Sequence, residues 1–169
     1  MIAREESKPG KPTTIERTSD REIVVTRSFA APAQLVFKAW SEPELFKQWW
    51  VPRSMDMTLK SCEMDVRTGG RYRLNFGDGM DFHGRYVEVV PNEKIVWTNE
   101  EGGDAGPVTT VTFEENDGLT VLVVRESYPS KEALDAAGTG AQEAMRETFG
   151  QLDELLATIG ATASQSSAG

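Results

Sequence analysis

The spacing of apolar positions changes period three times along the chain, and each change marks a boundary between kinds of element. Between Glu22 and Phe29, Ile23, Val25 and Arg27 alternate with Val24, Thr26 and Ser28, a β-branched run that predicts a strand. Ala31-Pro32 ends it, and Pro32 suits the first turn of a helix because its missing N–H is not needed there. Ala33, Val36, Phe37 and Trp40 then recur at helical spacing. Ser41-Glu42-Pro43-Glu44 has the form of a capping box, with Ser41 as N-cap, and predicts a second short helix carrying Leu45, Phe46, Trp49 and Trp50.

A two-residue period follows. Met55, Met57 and Leu59 predict one strand, and Tyr72, Leu74 and Phe76, backed by Arg71, Arg73 and Asn75, predict the next. Gly77-Asp78-Gly79 is a hairpin signal, after which come Phe82 to Val90, the turn Pro91-Asn92-Glu93, and Ile95 to Asn99. Beyond a loop at Glu101-Gly102-Gly103-Asp104, Val108 to Glu114 and Leu119 to Glu126 flank a second hairpin signal, Asn116-Asp117-Gly118. Seven strands joined mostly by hairpins predict an antiparallel meander. The helical period then returns: Ala141, Met145, Thr148, Phe149, Leu152, Leu155, Leu156 and Ile159 form one stripe, with Gln142, Glu143, Arg146, Glu147, Asp153 and Glu154 opposite. Gly138 and Gly140 predict a break after a short helix at Lys131 to Ala137, and Gly160 is placed to end the long one.

One amphipathic helix cannot cover the inner face of seven strands unless the sheet curves around it. The class is therefore α+β, a curved seven-stranded antiparallel sheet wrapped around a long C-terminal helix, with two short helices after the first strand. Incomplete filling of such a trough leaves a concave, mostly apolar pocket, the usual form of a small-molecule site. The residues expected to line it are Trp49, Met57, Tyr72, Leu74, Phe76, Trp97, Phe113, Met145 and Phe149. Read singly, each of them also fits a plain core position.

Composition narrows the partners. A net charge of −9 and a pI near 4.7 come with no basic stripe, which argues against nucleic acid and against an anionic membrane surface. No apolar run approaches the ~20 residues needed to span a bilayer, and Met1 to Glu6 lacks the apolar core of a secretion signal, so the cytoplasm is the expected location. The polar residues 1–19 are expected to form a disordered leader and residues 160–169 a disordered tail, leaving one domain at 20–159. A single cysteine, Cys62, allows no intramolecular disulfide and fits a buried inert thiol. His83 is the only histidine and hence the one natural proton shuttle near neutral pH, with Asp81 or Glu88 as its candidate orienting carboxylates. No phosphate loop, nucleophile elbow or metal-ligand spacing occurs, so no cofactor and no metal are expected.

Four segments taken together resemble a known family. They are Trp40-Ser41-Glu42-Pro43-Glu44-Leu45-Phe46-Lys47-Gln48-Trp49-Trp50, then Asp65-Val66-Arg67-Thr68-Gly69-Gly70, then Gly84-Arg85-Tyr86-Val87-Glu88-Val89-Val90-Pro91, then Glu93-Lys94-Ile95-Val96-Trp97-Thr98. In this order the chain resembles the SRPBCC superfamily, and within it the bacterial relatives of the activator of the heat-shock-chaperone ATPase, from about Arg21 to Leu156. The resemblance implies the helix-grip fold shared with START and birch-pollen-allergen-like domains, a fold that hosts carriers, cyclases, receptors and chaperone activators alike. Where many relatives carry Gly-Trp early in the last helix, this chain has Ala144-Met145, which implies a softer pocket roof. In Asp65-x-Arg67-x-Gly69-Gly70 the residue types suit a tied-down turn needing positive φ.

Three functions follow as expectations. The first is a module binding a small apolar or aromatic ligand. The second is a cyclase, dehydratase or hydrolase acting in the same cavity with His83 as its proton carrier. The third is a chaperone-activating interaction protein, for which the leader is too short to replace the activators' separate N-terminal domain. The sequence leaves open whether the assembly is a monomer or a homodimer.

Overall fold

The computed structural model describes residues 13–55, 59–77, 80–99 and 107–168. Its strands are β1 (Thr14–Ser19), β2 (Glu22–Phe29), β3 (Ser61–Met64), β4 (Arg71–Gly77), β5 (Met80–Val90), β6 (Lys94–Asn99), β7 (Val108–Asn116) and β8 (Leu119–Ser127). Helices α1 (Ala33–Ser41) and α2 (Pro43–Trp49) and a 3-10 turn at Arg53–Met55 connect β2 to β3, while α3 (Lys131–Ala137) and α4 (Gly140–Ala168) follow β8. All pairings are antiparallel, in the order β1-β2-β8-β7-β6-β5-β4-β3. β3 to β8 thus make the meander, and β2 returns to pair with β8. This is the helix-grip architecture.

The turn residues act as their chemistry requires. Asp117 (φ 53°) and Gly118 (φ 79°) are both left-handed, which matches the strand twist of a two-residue hairpin. Gly138 (φ 67°) separates α3 from α4. In the Asp65–Gly70 turn, Arg67 Nε donates to both Asp65 carboxylate oxygens at 3.0 and 2.8 Å, and Gly69 takes φ 88°. Gly69 N donates to the Tyr86 carbonyl and Tyr86 N to the Gly70 carbonyl, so this turn is bonded onto β5.

Several expectations are corrected. The sheet has eight strands among the described residues, because Thr14–Ser19, assigned to the leader, forms β1 on the edge of the sheet. Of its six residues only Ile15 turns toward the core, so the segment shows no hydrophobic period to read. The strand expected at Met55–Leu59 instead lies at Ser61–Met64, where Cys62 and Met64 face inward, and Met55 closes the 3-10 turn. Ser41 does not cap α2. It ends α1, its hydroxyl donating to the Lys38 carbonyl, while Glu42 is the N-cap of α2 and Pro43 begins it. α4 does not stop at Gly160 but runs through the presumed tail to Ala168, since one glycine costs only about 1 kcal/mol in a helix already nucleated. Met57, the tip at Asp78-Gly79 and the loop at Glu101–Asp104 lie outside the described residues.

The core sits between the sheet and α1, α2 and α4. α4 packs on α1, α2 and β2, and α2 also reaches β3. Trp40 lies at the centre, its ring centroid 4.8 Å from Trp49 and 5.9 Å from both Trp50 and Trp97. All four tryptophans of the chain therefore share one aromatic cluster, which also takes in Phe46, Phe113 and Phe149. Edge-to-face contacts of this kind add about 0.5–1.5 kcal/mol each beyond the area they bury.

Candidate functional site: the inner face of the sheet

Strand pleating decides which side chains enter the trough. On β4, Tyr72, Leu74 and Phe76 point in and Arg71 and Arg73 point out. Register carries this across the sheet: Leu74 faces Phe82, Tyr86 faces Trp97, Trp97 faces Thr109 and Thr109 faces Glu126. A bulge at Tyr86/Glu88 keeps both Tyr86 and Val89 on the inner side. Gly84 is required between Phe82 and Tyr86, because a Cβ there would run into the Thr98 carbonyl and the Tyr72 ring. Tyr72 Oη uses that close approach to donate to the Thr98 carbonyl at 3.1 Å.

The residues expected to line a cavity fall into two groups. Trp49, Tyr72, Leu74, Phe113 and Phe149 are buried in the core, and Trp49 Nε1 donates to the Ala39 carbonyl at 3.0 Å. Phe76, Trp97 and Met145 are half-buried at its margin, together with Cys62, Met64 and Trp50. Phe82, on the same inner face, remains 38% exposed and meets Phe76 edge-on at 5.7 Å. The inner face of β3 to β6 is thus apolar but incompletely covered. Burial pushes the Cys62 thiol up to about 11, so it is uncharged at neutral pH.

At the far end of the trough the lining turns polar. Glu126 continues the inward series Leu122 and Val124, and Gln142 is fully buried although the sequence pattern put it on the exposed side of the helix. Gln142, Met145, Phe149, Leu152 and Leu156 are spaced 3, 4, 3 and 4 residues apart and form the true inner stripe of α4. Gln142 Nε2 donates to Glu126 Oε1 and, at 3.2 Å, to Tyr128 Oη, while Thr109 Oγ1 donates to Glu126 Oε2 at 3.2 Å. Burial raises the Glu126 carboxyl above the usual range, and those two bonds only partly offset it. Gln142 Oε1 is buried and accepts no hydrogen bond among the described residues. The missed signal was a carboxylate at an inward position of an otherwise apolar alternation.

His83 stands elsewhere. It pairs in register with Arg73, and so occupies the outer face of the sheet, away from α4. A groove of about 370 Å³ there is lined by Glu63, Arg71, Tyr72, Arg73, Asp81, His83 and Gly84. Of its candidate carboxylates, Asp81 lies close enough to feel His83 but is bonded through both oxygens to Arg73 Nε at 3.1 and 3.0 Å, and Glu88 pairs with Lys94 at 3.1 Å. Among the described residues no group of three His, Cys, Asp or Glu side chains could hold a metal ion, and no helix is long and apolar enough to cross a membrane.

Residues 30–157, from the end of β2 through the inner stripe of α4, match the family described as activator of Hsp90 ATPase homolog 1-like protein. The chain belongs to this family. Solved structures share its fold. A Nitrosomonas europaea protein, 23% identical, superposes with a TM-score of 0.75 over 85% of this chain and 98% of its own. A Rhodobacter sphaeroides protein, 24% identical, gives 0.73 over 86% and 98%. A Staphylococcus epidermidis protein, 27% identical, gives 0.67 over 86% and 94%. No curated protein matches the chain. The Hsp90-activator-homologue family and its SRPBCC fold therefore frame the trough.

Proposed function

We propose that this activator-homologue protein binds a small apolar or aromatic molecule between the inner face of the sheet and α4. The observation that carries the proposal is the incomplete cover of β3 to β6, where Met64, Phe76, Phe82, Trp97 and Met145 present apolar surface that the helices do not close over. Apolar surface kept partly open in a concavity is what a ligand pocket requires, and a core has no use for it. Its half-buried lining includes methionines, whose flexible thioethers adapt to varied shapes. Membership of a superfamily that hosts binders of apolar ligands supports the same reading.

Titration with N-phenyl-1-naphthylamine, a neutral fluorophore, tests it. Saturable one-to-one binding is expected, with quenching of the tryptophan cluster. Met145→Trp fills the space beside the helix and is expected to weaken binding at least tenfold. Non-saturating fluorescence that is indifferent to Met145→Trp contradicts the proposal.

A further inference from the structure

Gln142 and Glu126 together are more than a tie between helix and sheet. The amide nitrogen of Gln142 is spent on Glu126 and Tyr128, and each Glu126 oxygen already accepts one bond, from Gln142 and from Thr109. What remains is acceptor capacity: the unpaired, fully buried Gln142 Oε1 beside a carboxyl group. Among the described residues the groups that act on that carboxyl are Gln142 and Thr109, neither of them a cation. A buried acceptor without a donor is rare in folded proteins and marks a place where a partner belongs. The location fits a bound molecule, because Gln142 lies one turn before Met145 on α4, and Glu126 shares its cross-sheet row with Thr109 and half-buried Trp97.

We infer that the trough selects apolar molecules bearing a hydrogen-bond donor, such as a phenol, alcohol or amine, with Gln142 Oε1 accepting from that donor and Glu126 disfavouring carboxylates. This rests on the apolar-ligand reading above. An isolated donor gains a partner here, whereas a carboxylate would be set beside two further acceptors, Gln142 Oε1 and the Glu126 carboxyl, in a desolvated space.

Three probes with one apolar body separate the cases: naphthalene, 2-naphthol and 2-naphthoate, titrated at neutral pH against the full chain and followed by tryptophan fluorescence. 2-Naphthol is expected to bind about tenfold tighter than naphthalene, the scale of one net hydrogen bond, and 2-naphthoate more weakly than naphthalene. Gln142→Met is expected to erase the difference between 2-naphthol and naphthalene. Equal binding of 2-naphthol and naphthalene, or a naphthol advantage that survives Gln142→Met, overturns the inference. If Gln142→Met does not fold, Glu126→Gln decides: 2-naphthoate gains about tenfold, and an unchanged naphthoate affinity overturns it. Failure of naphthalene itself to bind contradicts the pocket, whereas naphthalene binding without preference contradicts the donor selection alone.

Discussion

Gln151 on α4 closes the end of α2 by bonding to Trp49: its Nε2 donates to the Trp49 carbonyl at 3.1 Å. The same nitrogen donates to the Val51 carbonyl at 2.9 Å, and its Oε1 accepts from Arg53 N at 2.9 Å. A helix end leaves carbonyls without intrahelical partners, and here one buried side chain supplies what water cannot. Glu147 adds to the clamp by accepting from Ser54 N at 2.9 Å and Ser54 Oγ at 2.6 Å.

Gln151→Leu is therefore expected to cost about 1–3 kcal/mol, because it strands backbone groups while keeping the side-chain volume. Urea denaturation measures this, and a loss below about 0.5 kcal/mol shows that the clamp does not hold α2.

Arg27 presents a second buried polar problem. Its side chain is 8% exposed, lies 5.0 Å over the Phe29 ring and reaches Asp153 at 3.0 Å, while its Nε has no partner. Burial lowers the guanidinium pKa, against the opposing effect of Asp153, and raises that of the Asp153 carboxyl, against the opposing effect of Arg27. Desolvation thus outweighs attraction on both sides. Asp153→Asn is expected to cost about 1–2 kcal/mol, discounted from a fully buried pair because Asp153 is 39% exposed. The double variant Arg27→Met, Asp153→Leu is expected within about 1 kcal/mol of the parent. Thermal unfolding of both checks the ordering, and a double variant less stable than the single one contradicts it.

Glu126 gives the fold a signed pH response. Its folded-state pKa is raised, so its contribution to stability is complete below the ordinary glutamate range and is lost as pH rises through the native value. The groups facing it are Thr109 on β7 and Gln142 on α4, with Tyr128 bonded to the same amide. Asp81, Asp135 and Glu147 are held low by hydrogen bonds and ion pairs, and so act in the opposite sense as pH falls. The informative quantity is the difference between Glu126→Gln and the parent. That difference is expected to grow in favour of Glu126→Gln from acid toward neutral pH, and a flat difference contradicts the buried carboxyl.

Much of this fold is legible in the chain, and the exceptions share one cause. Hairpin residues such as Asp117-Gly118 and the Trp40 and Trp49 spacings announce themselves because local geometry or a large apolar face demands them. β1 is silent because an edge strand with one inward residue has no period. The polar end of the trough is silent for a related reason: Gln142 and Glu126 are polar residues in buried positions, and a pattern rule assigns every polar residue to solvent. Cys62 is expected from its lone occurrence to be a buried thiol, and the structure places it half-buried in a short strand, where burial outweighs the opposing effect of Lys47 and keeps it uncharged at neutral pH.

That reading has a kinetic consequence. With the Cys62 pKa raised from its ordinary value to about 11, alkylation by iodoacetamide near pH 8 is expected about a hundredfold slower than in the unfolded chain. Saturating naphthalene is expected to slow it further, since Cys62 borders the trough. A native rate equal to the unfolded rate contradicts both the burial and the protection.

The central claim, an open apolar trough under α4, is tested most directly by labelling the methionine methyl groups and following them by NMR as naphthalene is added. Met64 on β3 and Met145 on α4 are expected to shift together and to saturate with a single dissociation constant. Methyl signals that stay fixed, or that drift in proportion to added naphthalene across all six methionines, contradict it.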